Sequence, residues 1–82
     1  MPVVLRLKGY KFWFYQADLD EPPHVHVGKD GNEAKYWLNP VSVANPGHFS
    51  QHELNQIEKI LIKQREHVLA IWWRENAKRE NC

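Results

Sequence analysis

This chain of 82 residues has one cysteine, a net charge close to zero and no long apolar run. The single Cys82 excludes an internal disulfide, which favours a reducing, cytoplasmic setting. The formal net charge of +1 argues against a protein whose main task is to grip duplex DNA through counterion release. No segment approaches the ~20 consecutive apolar residues that a membrane-spanning helix needs, and the start does not resemble a signal peptide. We therefore expect a cytoplasmic protein with no membrane partner.

Aromatic residues, by contrast, are plentiful for a chain of this length. They make up 12% of the sequence, and four of them are tryptophan. A chain this short forms one modest core, so residues 1–82 are expected to form a single domain. Four tryptophans exceed what such a core needs, and tryptophan is enriched at binding interfaces. Some of them are expected on a surface that binds another molecule.

The first two strands are predicted at residues 3–7 and 10–15, which are rich in β-branched and aromatic types. Lys8-Gly9 between them predicts a tight hairpin turn. With that turn, one face of the hairpin carries the pairs Leu7 with Tyr10, Leu5 with Phe12, and Val3 with Phe14. The opposite face then carries Val4, Arg6, Lys11, Trp13 and Tyr15.

A second hairpin is predicted at residues 24–28 and 33–38, because Asp30-Gly31 is a strong signal for a type I′ turn. The alternation of side chains puts an apolar set on one face: Val25, Val27, Ala34, Tyr36 and Leu38. The opposite face carries His24, His26, Glu33, Lys35 and Trp37. A shift of one residue would destroy this pattern, which therefore fixes the register.

The remainder of the chain predicts one helix. Residues 41–44 suit a short edge strand, and Asn45-Pro46-Gly47 breaks the chain after it. Ser50 and Glu53 have the spacing of a capping box, and residues 51–78 lack glycine and proline. An apolar stripe at helical spacing keeps its phase along this segment: Leu54, Ile57, Leu61, Val68 and Trp72.

A second apolar stripe lies about 90–100° around the same helix and consists of Ile62, Leu69 and Trp73. It indicates either a wide core or an interface with another chain, which would be a partner protein or a second copy. The predicted architecture is α+β: two β-hairpins form a four- to five-stranded antiparallel sheet over residues 3–44, and one long C-terminal helix over residues 51–78 covers it. The order of the strands between the hairpins stays open.

The most distinctive segment is Glu-Pro-Pro-His-Val-His-Val at residues 21–27. Gly-Tyr-Lys-Phe at 9–12 precedes it, Ala-Lys-Tyr-Trp-Leu-Asn-Pro at 34–40 follows it, and Met1-Pro2 and the terminal helix complete the order. Together these segments resemble the bacterial domain-of-unknown-function family 4160 over nearly the whole chain. The resemblance implies a small protein encoded beside another small protein, in a module of toxin–antitoxin type. It therefore implies a partner protein. No cofactor is expected.

The His-x-His strand allows two chemical interpretations. Side chains two apart on a strand point the same way, so His24 and His26 could supply two ligands of one metal ion in a hydrolase. A third ligand would have to come from Glu33, Glu21, Asp20, Asp18 or Cys82. Alternatively, His24 and His26 could divide acid and base roles in a ribonuclease toxin, with Lys35 stabilising a phosphate. Trp13, Tyr15 and Trp37 would then stack on RNA bases.

The third interpretation assigns no catalysis to the two histidines. Pro22-Pro23 gives the strand a rigid entry, and the two histidines fill a half-buried face or contact a protein partner. Trp13, Tyr15, Trp37 and Glu33 would form the binding surface, since tryptophan and tyrosine are typical of such interfaces. The leading hypothesis is therefore an interaction module, with the ribonuclease and the metal-dependent hydrolase as alternatives.

Overall fold

The computed structural model describes residues 3–15 and 19–80. Asp18, Cys82 and Met1-Pro2, which figure in the sequence analysis, lie outside these ranges. The described residues form five strands and one helix, which are β1 Val3–Leu7, β2 Tyr10–Trp13, β3 His24–Lys29, β4 Asn32–Leu38, β5 Val41–Asn45 and α1 Gln51–Glu80. The strands form one antiparallel sheet in chain order, β1-β2-β3-β4-β5. The predicted α+β architecture, with a five-stranded antiparallel sheet and one long C-terminal helix, is confirmed.

Both predicted hairpin turns are present. Leu7 pairs with Tyr10 across Lys8-Gly9, and Lys29 pairs with Asn32 across Asp30-Gly31. The two central residues of each turn have positive φ, at 53° and 84° in the first and 52° and 83° in the second. Positive φ at both positions is what a type I′ turn requires, and its twist matches that of the flanking strands.

The predicted pairing of Val3 with Phe14 is wrong. The register shifts between Val3 and Leu5, so that Val3 pairs with Trp13 while Leu5 pairs with Phe12. Val4 is the extra residue of this bulge, and bulges redirect side chains in this way. Its side chain is buried in the core, whereas simple alternation would place it on the opposite face.

The second hairpin has the predicted register throughout. His24 pairs with Trp37, Val25 with Tyr36, His26 with Lys35 and Val27 with Ala34. The fifth strand, β5, pairs with β4 across a two-residue turn that contains the cis Asn39–Pro40 bond. The strand order between the hairpins, which the sequence left open, follows the chain: β2 pairs with β3, and Trp13 lies opposite His26. That pairing joins the two hairpins into one surface.

The core lies between one face of the sheet and α1. The sheet contributes the predicted apolar set of β3 and β4 together with Tyr10, Phe12 and Phe14, all of them buried. The helix contributes Ile57, Leu61, Val68 and Trp72, which are completely buried. A continuous helical stripe of this kind excludes water from one face of the sheet. In the described ranges, no helix is long and apolar enough to cross a membrane.

Specific polar contacts hold the helix in place. The capping box is formed, because Glu53 N donates to Ser50 Oγ at 3.2 Å and Ser50 N donates to Glu53 Oε1 at 3.0 Å. The hydrogen bond from Ser50 N lowers the pKa of Glu53 below its ordinary value. Further along α1, Arg65 Nε donates to the carbonyl of Leu38 at 2.9 Å. These contacts fix α1 over one face of the sheet only.

The second apolar stripe of the helix is divided. Leu69 is half-buried and packs against the core. Ile62 is 58% exposed and Trp73 is 56% exposed. A wide core therefore accounts for Leu69, while Ile62 and Trp73 lie on the outside of α1.

Candidate functional site

The candidate site is the open face, which is the side of the sheet that α1 does not cover. It carries Lys11, Trp13, Tyr15, His26, Glu33, Lys35 and Trp37. Strand register places them together: Trp13 lies opposite His26, and His26 lies opposite Lys35 on the next strand. The residues predicted for the binding surface therefore lie on one face of the sheet, including those on different hairpins.

Trp13 forms the floor of this face. Its ring stacks on that of His26, with centroids 5.9 Å apart and an interplanar angle of 24°. A Cβ at Gly28 would lie 3.0 Å from the indole edge, so the missing side chain allows the ring to lie across β3. Trp13 is only 6% exposed, and Nε1 has no hydrogen-bond partner among the described residues. Trp13 thus supports the surface and offers little of its own area to a partner.

His26 stands at the centre of the open face. The ring of Tyr15 meets it edge-on, with centroids 5.1 Å apart. On the other side, Nδ1 lies 3.6 Å from Glu33 Oε2. A small surface cavity of about 180 Å³ lies beside His26 and is also lined by Glu33, Lys35 and Asn45. His26 is half-buried and accessible from this cavity.

The lysines of the open face are engaged with neighbouring groups. Lys35 Nζ lies 3.1 Å from Glu21 Oε1 and 4.7 Å from the centroid of the Trp37 ring. Lys11 Nζ lies 5.2 Å from the Trp13 ring centroid, which is within the range of cation–π attraction. With Glu21 and Glu33 at the same surface, positive and negative charges are mixed.

His24 is more deeply buried than His26, although strand alternation points both side chains to the face opposite Val25. It is 0% exposed, since the rings of Trp37 and Trp72 lie 5.6 Å and 5.2 Å from it. Its Nδ1 lies 3.0 Å from the carbonyl oxygen of Pro22, so that in the neutral tautomer with a proton on Nδ1 it donates to this carbonyl. This geometry favours a structural role, in which His24 fastens the Pro-Pro entry to the end of the sheet.

The metal ligands proposed from the sequence are not gathered. Across residues 3–15 and 19–80, no group of three or more His, Cys, Asp or Glu side chains could hold a metal ion. Glu21 is held by Lys35, and Glu33 lies beside His26 only. Asp18 and Cys82 lie outside the described ranges. The described residues therefore supply the His-x-His pair without a third ligand.

A shallow groove at one end of the open face escapes sequence reasoning. Trp37 forms its floor, Pro22, Pro23 and Pro40 form its walls, and its volume is about 230 Å³. The prolines come from two turns that are distant in sequence. The Pro-Pro and Asn-Pro pairs predict turns, but their meeting at Trp37 depends on the pairing of β4 with β3 and β5.

A family model described as "Domain of unknown function (DUF4160)" matches residues 9–73. This protein belongs to that family. The matched region spans the sheet from the β1–β2 turn onward, the whole open face and most of α1. No curated protein and no solved structure matches the chain.

Proposed function

We propose that this DUF4160 protein is a small cytoplasmic interaction module of toxin–antitoxin type, and that its open face binds a partner protein encoded by a neighbouring gene. One observation carries the proposal. Within residues 3–15 and 19–80, no helix or strand covers this face of the sheet, where the rings of Trp13, Tyr15 and His26 contact one another. Trp37 is joined to them through the buried ring of His24. Antiparallel sheets can leave one face in water, but such a face is ordinarily polar. Rigid aromatic side chains instead supply contact area at small entropic cost.

The charge of the open face favours a protein over RNA. RNA binding draws its affinity from lysine and arginine side chains that neutralise phosphates. Here Lys35 is paired with Glu21, and Glu33 adds a further negative charge beside His26. Aromatic residues surrounded by mixed charges are typical of protein interfaces.

Binding to the neighbouring gene product tests this function. Tyr15→Ala and Trp37→Ala each remove an accessible ring of the open face, and each should weaken binding by about 2 kcal/mol, or roughly 30-fold in Kd, as hot-spot residues do. Trp73→Ala is the matched control, because Trp73 is an exposed tryptophan on the outer side of α1. Isothermal titration calorimetry measures all three. Loss of binding in Trp73→Ala alone would assign the partner to Ile62 and Trp73 instead, and light scattering would show whether that surface forms a homodimer.

A ribonuclease toxin is the second candidate, supported by the cavity where His26, Glu33 and Lys35 meet. A carboxylate beside an imidazole can orient it for proton transfer. His24 is enclosed by tryptophan rings, which leaves His26 and Lys35 as the accessible groups. If this function holds, His26→Ala should abolish both RNA cleavage and growth arrest on overexpression while the protein stays folded. A folded His26→Ala protein that still cleaves RNA would exclude this role.

The metal-dependent hydrolase is the third candidate and rests on the His-x-His pair alone. Protein purified without chelator should then hold about one metal ion per chain, and His26→Ala should lose it. A metal content near zero in the wild type, after incubation with Zn²⁺ and desalting, would exclude it.

A further inference from the structure

A groove on the opposite side of the molecule is not part of the open face. It runs between the β1–β2 turn and the first half of α1, and its volume is about 530 Å³. Leu7 and Lys8 line one wall, while Lys59, Ile60 and Lys63 line the other together with Ile62. Leu7 is 38% exposed, although it pairs with the buried Tyr10.

The groove combines apolar side chains with a single sign of charge. Lys59 and Lys63 are one helical turn apart and lie on the same side of α1, with Ile62 three positions after Lys59. Lys8 faces them from the hairpin. No Asp or Glu is among the lining residues that the structure describes. Lys8, Lys59 and Lys63 form no ion pair with any residue in the described ranges.

We propose that this groove docks an acidic segment of a partner protein that carries apolar side chains on one face, such as an amphipathic helix. The apolar face would cover Leu7 and Ile62, and the carboxylates would meet the three lysines. Charge complementarity of this kind selects partners and steers their approach. The proposal goes beyond the open face and does not depend on it.

Two other occupants fit the groove less well. A second copy related by a two-fold axis would place the same patch on itself, and lysines would then face lysines. RNA would use the lysines but would leave the exposed Leu7 and Ile62 without apolar contacts. A protein segment with both carboxylates and apolar side chains would contact the lysines and the exposed apolar residues of the lining together.

Fluorescence anisotropy with labelled peptides tests the proposal. The probe is an amphipathic helical peptide with leucine on one face and glutamate on the other. Two matched peptides replace either all glutamates with glutamine or all leucines with serine. The acidic amphipathic peptide should bind at least about ten-fold more tightly than either matched peptide, and its Kd should rise with salt. Equal binding of the three peptides would overturn the proposal.

Variants of the full chain locate the binding. Lys59→Glu with Lys63→Glu should weaken binding of the probe at least about ten-fold, and Ile62→Ser should also weaken it. Arg74→Glu with Lys78→Glu is the control, because it changes the net charge equally at the far end of α1. Circular dichroism verifies that each variant is folded. Three results would overturn the proposal. The control pair could lose as much binding as the lysine pair, or both groove variants could bind the probe like the wild type. Alternatively, a single-stranded RNA could bind more tightly than the peptide, with an affinity that Ile62→Ser does not change. Trp37→Ala should bind the probe like the wild type. The peptide experiment therefore tests the groove separately from the binding proposed for the open face.

Discussion

At the scale of single residues, the absence of a side chain at Gly28 leaves room for the Trp13 ring to lie flat across β3, where it stacks on His26. The alternation of residues in β2 predicts that Trp13 faces away from the core. Its flat position across β3 depends instead on Gly28, which lies in the following hairpin. The sequence shows a glycine inside a strand, which is a signal for close approach of another group. It does not show which ring approaches, because that depends on the pairing of β2 with β3.

Gly28→Ala should therefore disturb the open face. The added Cβ would lie 3.0 Å from two atoms of the Trp13 ring, and overpacking of this kind costs about 1–3 kcal/mol. We expect a lower free energy of unfolding in urea and a changed near-ultraviolet circular dichroism spectrum. Gly28→Ala combined with Trp13→Leu should recover part of the loss, since the smaller side chain leaves room for the methyl group. Strict additivity of the two changes would contradict the contact.

Tyr36 links the sheet to the helix and gives the protein a defined response to alkaline pH. Its hydroxyl donates to the carbonyl of Leu54 at 3.1 Å. Burial, with smaller contributions from Glu58 and Tyr10, raises the pKa of Tyr36 to about 12. In the unfolded chain a tyrosine ionises near pH 10. The folded state holds the proton more tightly in the window between these values, so stability falls as pH rises from about 10 to about 12.

Tyr36→Phe tests this linkage. At neutral pH the variant should be less stable by about 1 kcal/mol, because the carbonyl of Leu54 loses a hydrogen-bond donor. Between pH 10 and 12 its free energy of unfolding should fall less steeply than that of the wild type. The difference in stability between the two proteins should therefore narrow. Urea unfolding at a series of pH values measures both effects. A difference that stays constant up to pH 12 would show that Tyr36 does not ionise differently on folding.

His24 is the residue at which sequence reasoning and structure differ most in meaning. Period-two alternation places it beside His26, and the pairing with Trp37 confirms that register. Its burial arises from Trp72, which lies 48 positions later on α1. Local patterning cannot supply a contact between the start of a strand and the end of a helix. The motif alone therefore does not distinguish the buried His24 from the accessible His26.

At the scale of elements, the sequence predicts best where local chemistry decides the structure. The two turns follow from Lys-Gly and Asp-Gly, which tolerate positive φ, and the helix start follows from the Ser50–Glu53 spacing. The bulge at Val4 could not be predicted in this way. Val3 and Val4 are identical side chains, so composition does not indicate which of them enters the core.

The capping box makes a direct contribution to the stability of α1. Ser50→Ala should lower the free energy of unfolding by about 1 kcal/mol, because Glu53 N loses its acceptor. Ser42→Ala, at an exposed position in β5, is the matched control and should have almost no effect. Chemical denaturation of both variants measures the difference. Equal stability of the two variants would mean that the cap adds nothing.

Residues of the second apolar stripe of α1 should differ in how much they contribute to stability. Leu69→Ala should lower the free energy of unfolding by about 1–2 kcal/mol, because Leu69 packs against the core. Ile62→Ala should cost less than about 0.5 kcal/mol, as is usual for an exposed position. Thermal or urea unfolding compares the variants. If Ile62→Ala were as destabilising as Leu69→Ala, Ile62 would belong to the core and would not be a surface residue of the groove between the β1–β2 turn and α1.

At the scale of the whole molecule, the decisive feature is that a single helix covers only one side of a five-stranded sheet. The chain has no second helix in the described ranges to cover the other side. The exposed side carries connected aromatic rings, which the two hairpins contribute jointly through the β2–β3 pairing. The exposed face of the second hairpin was predictable from its turn, and that of the first was predictable except at Val4. Their union was not, because strand order between hairpins depends on non-local pairing.

The four tryptophans allow one measurement to test where the partner binds. Each indole N–H gives its own signal in a ¹⁵N-correlated NMR spectrum, and the four report on different places. Trp13 and Trp37 lie on the open face, Trp72 lies in the core, and Trp73 lies on the outside of α1. Titration with the neighbouring gene product should shift the signals of Trp37 and Trp13 and leave that of Trp73 in place. A shift confined to Trp73, with Trp13 and Trp37 unmoved, would contradict the assignment of binding to the open face.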